Sequence, residues 1–376
     1  MSFNPILHKV RTPIEFINIA GAGGLQLGSM IEPWGNPKAG KSTFCYQCAE
    51  LFLEDYKDKA LVLIIDAENS ANLLRLRKVF NLDPCNIGSA TSESDNRVYL
   101  EPGMTIELAN AAIQKYMKKA QDENKYLFVI WDSITASAPQ AEFDALEESI
   151  KKLANKDEIK NKDLAKEFAG GMMLKPRVIR STLNSILTRM WQQPVIIFII
   201  NQATTAITRF GSKEDSSGGY GFKHNIHYRI RFSYKKDLHA EGFIKKGTQS
   251  VVDFGKTKHM PSLKEFPIII HDDIGGKIIQ GAELPIIATE MEWIKSNGGY
   301  FKLSPELRER FPKDHDFRED KNRRFKTIIQ DLDFKKIIRK AFVDYFRDNF
   351  QLVNWEYEEL EVLAKQEKKE KRGKKK

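Results

Sequence analysis

The chain has 376 residues, 41% of them hydrophobic and 30% charged, enough for two or three domains with a full core. Its longest apolar runs, such as residues 195–200, fall far short of the ~20 residues of a membrane span, and residues 1–10 lack the basic start, apolar centre and small-residue cleavage site of a secretory signal. Of the formal charge of +9, residues 365–376 supply +6, eight Lys or Arg against Glu367 and Glu370, so the body is nearly neutral and the end reads as a solvated, disordered tail able to attract phosphates. A cytoplasmic or nucleoid location with no membrane partner is the expectation.

Residues 1–29 form a short N-terminal segment. An apolar stretch at 30–34 reads as a strand, and directly after it Gly35, Asn36, Pro37, Lys38, Ala39, Gly40, Lys41 and Ser42 fit G-x-x-x-x-G-K-[ST]. Glycines let such a loop curl until backbone N–H groups point at phosphate oxygens, helped by the dipole of the helix that starts near Thr43 and runs to 56. Lys41 neutralises the β and γ phosphates, and Ser42 is a ligand for Mg²⁺. Cys45 and Cys48 form a C-x-x-C inside that helix; with Cys85 the only other cysteine, no second pair completes a zinc shell, so they read as small apolar residues.

The run 61–65 is a strand that delivers Asp66 and Glu68 to the edge holding the phosphate loop. Glu68 is the candidate acceptor that orients water against a γ-phosphate, and Asp66 is a cap or structural acceptor. A helical pattern at 106–121 leads to the strand 127–131, which ends in Asp132, the natural second Mg²⁺ ligand. Residues 141–168, dense in Glu and Lys, read as an exposed helical insertion, and a further helix is expected over 178–192. The strand 195–200 ends in Asn201 and Gln202; a glutamine there can touch the γ-phosphate, and a buried, satisfied amide pair is the equal alternative. These short runs, unalternated and separated by helices, predict an α/β fold with a doubly wound, mainly parallel sheet. Beyond 222 the strands 226–234, 249–254 and 266–271 are expected to extend the sheet antiparallel. From about 284 a smaller, helical and charge-rich domain begins, with 332–350 its clearest amphipathic helix.

In this order, the segments 16–28, 35–42, 65–68, 129–133, 198–202 and 218–223 resemble the RecA-type recombinases, more closely the compact versions encoded by large bacteriophages, over residues 12–275. The resemblance implies a RecA-like P-loop NTPase core at 30–283 and a smaller α-rich C-terminal domain at 284–364. It also implies a DNA-dependent ATPase using ATP and Mg²⁺ that forms helical filaments on single-stranded DNA and exchanges strands with double-stranded DNA. Single-strand-binding and mediator proteins are its implied partners.

By the same resemblance Glu68, Lys41 and Gln202 are catalytic, Gln202 as γ-phosphate sensor. Lys256 and Lys258 reach a neighbouring subunit's ATP. Arg75 stands where the family stacks an aromatic ring on adenine, a departure that weakens adenine preference. DNA would be gripped by two loops. The first, at about 169–180, offers Met172, Met173, Lys175 and Arg177; the second, at 203–217 with its flank, offers Ile207, Arg209, Phe210, Gly218 and Gly219. The C-terminus is basic where the bacterial family's is acidic, which implies weaker autoinhibition. Two other readings share this core: a hexameric DNA helicase, against which Lys256 and Lys258 argue, and an ATP-switch recombination mediator, against which Glu68 argues.

Overall fold

The apolar runs of the sequence become strands whose alternate side chains enter two separate cores. The computed structural model describes residues 8–350 apart from 86–96, 104, 155–173, 191–192, 209–210, 218, 240–244, 272–275, 298–299, 325–327 and 329–330. In chain order, β1 (Lys9–Val10) and β2 (Leu25–Gln26) pair across α1 (Glu15–Ala20). Then follow β3 (Met30–Gly35), α2 (Lys41–Tyr56), β4 (Ala60–Asp66), α3 (Leu73–Phe80), β5 (Val98–Pro102), α4 (Ile106–Asp122), β6 (Tyr126–Asp132), α5 (Gln140–Ala154), α6 (Leu174–Met190) and β7 (Val195–Ile199). The second half has β8 (Asn201–Thr208), β9 (Gly211–Ser216), α7 (Gly219–Asn225), β10 (Tyr228–His239), β11 (Lys245–Thr257), β12 (Phe266–His271) and β13 (Lys277–Ile278). Last come α8 (Leu284–Glu290), β14 (Ile294–Asn297), β15 (Tyr300–Leu303), α9 (Pro305–Glu309), β16 (Arg323–Arg324) and α10 (Leu332–Phe350).

The main sheet runs in the order β13-β12-β11-β10-β3-β7-β6-β4-β5, and every neighbouring pair from β10 to β5 is parallel. Parallel strands covered on both faces need apolar side chains on both. Along β4, Val62 and Ile64 join Phe44, Cys48 and Phe52 of α2 in one core, while Leu61, Leu63 and Ile65 join Ile113 of α4 and Leu183 of α6 in the other. Phe128 stacks on Phe198 with centroids 4.7 Å apart and meets Phe52 at 5.4 Å, which seats α2 over the strand ends. Cys45 and Cys48 lie fully buried in α2, and burial pushes both thiols up.

Three expectations need correction. Of the three strands expected to extend the sheet antiparallel, β11 and β12 do so, but β10 is parallel to β3, because the crossover through β8, β9 and α7 returns the chain in the same sense. The expected loop at 203–217 is instead a hairpin of β8 and β9, in register from Ala203 opposite Ser216 to Thr208 opposite Gly211. Residues 174–180, expected in the first DNA loop, are the opening turns of α6. Beside its helices α8, α9 and α10, the C-terminal region carries a small antiparallel sheet of β14, β15 and β16.

The C-terminal region is tied to the start of the chain. Phe16 of α1 meets Phe266, Phe342 and Phe346 edge-on at 5.2, 5.5 and 5.6 Å, and Glu15 pairs with Arg339 of α10. Of the expected insertion, the first part is α5, whose described side chains are mostly exposed, and the rest lies outside the described residues, as does the basic tail. No helix among the described residues is long and apolar enough to cross a membrane.

Candidate active site

Register brings the strand tips to one edge. Asp66 at the end of β4 is level with Asp132 at the end of β6, and Gly35 at the end of β3 is level with Gln202 at the start of β8. From Gly35 the chain turns through residues whose backbone only a special sequence tolerates. Gly35 has φ +135°, and a Cβ there would lie 2.0 Å from the Phe232 carbonyl oxygen; Gly40, at φ +98°, is the N-cap of α2. No side chain caps α2, so its first N–H groups and its dipole are free for an anion.

Lys41 is buried and donates through Nζ to the Gly35 and Asn36 carbonyls at 2.9 and 2.8 Å. Burial lowers its pKa, opposed by Asp132 and Glu68. Ser42 Oγ donates to Asp132 Oδ2 at 2.7 Å. Asp132 is nearly enclosed, and burial, with Glu68 and Asp66 adding repulsion, pushes it up to about 6 against the Ser42 bond. A hydroxyl and a carboxylate so juxtaposed are the hard oxygen donors that Mg²⁺ takes, and a cation would relieve the cost of burying that charge. The residues therefore fit the metal.

Glu68 accepts from Ser133 Oγ at 2.5 Å and from Gln202 Nε2 at 3.0 Å, both on Oε1. Ser133 follows a cis peptide bond from Asp132, and its hydroxyl also meets that of Thr135 at 2.8 Å. Asp66 takes the structural role, accepting from the Ser70 and Ala71 N–H groups at 3.0 and 2.8 Å. Asn201 is buried and satisfied: Nδ2 donates to Glu32 Oε1 at 2.9 Å and to the Ser217 carbonyl at 2.8 Å. Of the amide pair only Gln202 thus faces Glu68 among these contacts.

A cleft of about 280 Å³ opens over the loop, walled by Lys38, Gly40, Lys41, Ser42 and Thr43 and closed by Arg75, Thr248, Ile270 and Gly276. Arg75 Nη2 donates to Thr43 Oγ1 at 3.0 Å, and its guanidinium lies 5.2 Å from the centre of the Phe80 ring. Pro37 and Lys38 are exposed at the rim, and Ala39 is buried beneath it.

The expected residues do not all converge here. Lys256 pairs with Arg229, itself level with Glu32, and so stands at the level of the first half of β3, away from the phosphate loop; Lys258 follows just beyond β11. Lys256 Nζ donates instead to the Lys223 and His224 carbonyls at 2.7 and 3.3 Å. Lys175, expected on DNA, donates to the Thr135 carbonyl at 2.7 Å and is half-buried, which lowers its pKa; Arg177 is exposed on α6. Ile207 lies in β8, opposite Ser212, and Gly219 opens α7 with φ +73°. Met172, Met173, Arg209, Phe210 and Gly218 lie outside the described residues. Sequence reasoning missed Ser133 as a partner of Glu68, although a hydroxyl directly after a strand-end acid is a usable signal; for Thr248, Ile270 and Gly276 no local signal exists.

No protein-family model matches the chain. It is similar to bacterial proteins named Protein RecA. The identity is 25% over 291 residues with that of Clostridioides difficile, covering 76% of this chain and 70% of the relative. With the Pseudarthrobacter chlorophenolicus protein it is 26% over 321 residues, covering 82% and 80%. With the Ureaplasma parvum protein it is 25% over 288 residues, covering 77% and 74%.

Proposed function

We propose that this chain is an ATP-dependent recombination and repair protein that forms filaments on single-stranded DNA, pairs it with homologous duplex and exchanges strands. One observation carries the reading: Gln202 Nε2 donates to Glu68 Oε1 at 3.0 Å, at the point where the phosphate-loop edge passes into the hairpin. A carboxylate that orients water and an amide at the start of a β-ribbon are thereby one hydrogen-bonded unit. The three bacterial relatives named Protein RecA support the same activity.

In this mechanism the free N–H groups of α2 and the Lys41 ammonium bind the β and γ phosphates of ATP. Glu68, held by Ser133, accepts a hydrogen bond from the attacking water and orients it in line. Gln202 exchanges its bond to Glu68 for the γ-phosphate, which shifts the start of β8 and with it the hairpin. Mg²⁺ would be held by Ser42 and Asp132, where it supplies neutralisation of charge on the phosphate oxygens. Arg75 lies against the base in place of an aromatic ring. Lys256 and Lys258 reach a neighbouring subunit's triphosphate, which their distance along β11 from their own loop supports. Arg177 and the hairpin with its flanks grip DNA through phosphates and base stacking, with little sequence readout, and Lys175 joins them on giving up its bond to the Thr135 carbonyl. The same proposal covers a cytoplasmic site of action and a nearer kinship with the compact bacteriophage recombinases.

ATP hydrolysis measured with and without single-stranded DNA, alongside negative-stain imaging, tests it. Turnover stimulated by DNA together with filaments is the expected result. Discrete six-membered rings that unwind forks, or no affinity for single-stranded DNA at low salt, overturn it.

A further inference from the structure

A second polar cluster runs beneath the hairpin, on groups that the hydrolysis mechanism leaves idle. It starts at Glu32 of β3, whose side chain is fully buried and whose Oε2 accepts from Arg229 Nε at 2.5 Å. Burial pushes the Glu32 carboxyl up, against the pull of Arg229, Ser216 and Asn201. Arg229, on β10, donates onward through Nη2 to Asp215 Oδ1 at 3.0 Å and to Ser216 Oγ at 2.8 Å. The other oxygen of Asp215 is taken by the Lys223 ammonium from α7. Asp215 is therefore gripped on each oxygen by a cation from a different element. Burial alone would raise its pKa, but Lys223, Arg229 and the Ser216 N–H hold it at about 2, so it stays charged at every working pH.

The two strands of the hairpin are thus anchored differently. β8 is held near its start at Gln202, on the Glu68 carboxylate, while β9 ends at Asp215 and Ser216, on the Glu32–Arg229 pair. Asn201 bridges the anchors, since its Nδ2 bonds both Glu32 and the Ser217 carbonyl and its Oδ1 accepts from Ser217 Oγ at 2.7 Å. A shift of Gln202 turns the ribbon only if the far strand stays pinned. Otherwise the ribbon follows without changing its angle to the sheet. An ionic pin between two cations tolerates rotation because charge attraction is not directional, whereas a single neutral hydrogen bond does not.

We propose that Asp215 is the positioning residue that makes the hairpin's grip on single-stranded DNA depend on the bound nucleotide. The inference rests on the reading of the chain as an ATP-dependent binder of single-stranded DNA. The test uses the full chain and its Asp215→Asn and Asp215→Glu variants, with labelled oligothymidylate followed by fluorescence anisotropy in a non-hydrolysable ATP analogue and in ADP. Couplings between sites usually span about 5- to 150-fold. The ratio of the two DNA affinities should fall within that range for the wild type, drop below about threefold in Asp215→Asn, and survive in Asp215→Glu. A residue that merely supports the fold would weaken binding equally in both nucleotides; an unchanged ratio in Asp215→Asn therefore overturns the inference. Should Asp215→Asn not fold, Lys223→Gln removes one of the two cations from outside the hairpin and is read by the same ratio. A wild type whose DNA affinity ignores nucleotide would instead sink the functional reading, whatever the variants do.

Discussion

The phosphate loop and the β8–β9 hairpin sit side by side at one sheet edge and are built on opposite principles. The loop is shaped by backbone: Gly35 and Gly40 hold positive φ, Lys38 does so at +61°, and its flanks run into the buried strand β3 and the mostly buried helix α2. The hairpin is shaped by side chains, with Thr204, Asp215 and Arg231 bonding across or beneath it. Trp34, between the Arg229 and Arg231 guanidinium groups at 5.2 and 5.5 Å, marks the boundary. A ligand of constant shape suits a rigid cradle. On the proposed function, the hairpin must answer to two nucleotide states, and such a segment is better held by contacts that exchange partners.

The largest expected effect breaks the rigid side: Lys41→Ala should lower ATP hydrolysis by on the order of 10³-fold, since a preorganised charge at the phosphates is lost. Steady-state phosphate release measures it. Glu68→Gln should cost about 10²- to 10³-fold in turnover while nucleotide affinity, read by titration of a fluorescent analogue, stays largely intact. Equal losses in both would show that Glu68 supports the loop rather than the water. The contrast in backbone is sharpened by two glycines. Gly35→Ala drives a Cβ into the Phe232 carbonyl and should lower unfolding free energy by ~3 kcal/mol, whereas Gly219→Ala, with nothing within 4 Å of its Cβ, should cost ~1 kcal/mol. Urea titration of both variants compares them.

The smallest effect separates the regions by sign of their pH response. Asp132 is raised from 3.8 to about 6, so the folded chain binds the extra proton and stability falls as pH rises through that window. At ~1.4 kcal/mol per unit this amounts to on the order of 3 kcal/mol, and Asp132→Asn should flatten it. Asp215, lowered from 3.8 to about 2, contributes stability above 3.8 that is lost as pH falls through about 2. Melting temperatures measured from about pH 2 to 8 without divalent cations would show both slopes. A wild type and Asp132→Asn with parallel profiles would remove the first.

Much of the rigid side was legible in the sequence. The runs at 61–65 and 127–131 appear as β4 and β6 with ends displaced by one residue, because strands buried on both faces carry their own signature. At those strand tips Ser42 meets Asp132 and Glu68 meets Gln202. The hairpin was not legible. Its strands are rich in Thr, Ser and, in β9, charge, with no continuous apolar face to set a period, and β9 is tied to β10 and α7 by ion pairs distant in sequence. Lys175 shows the same limit, because nothing local tells that its ammonium folds onto the Thr135 carbonyl. Nor does any motif announce that Thr248, Ile270 and Gly276, some two hundred residues on, close the cleft.

The alignment of Gly35 with Gln202 has a consequence for how such a chain tolerates length changes. Side chains alternate along a strand with period two, so gaining or losing one residue between Val195 and Gln202 would turn the amide to the opposite face, out of reach of Glu68. Beyond Thr204 the same event only lengthens or shortens the ribbon. Natural variants should therefore carry insertions freely at the tip and never in the six residues that lead up to Gln202, a phase constraint that acts on spacing rather than on composition.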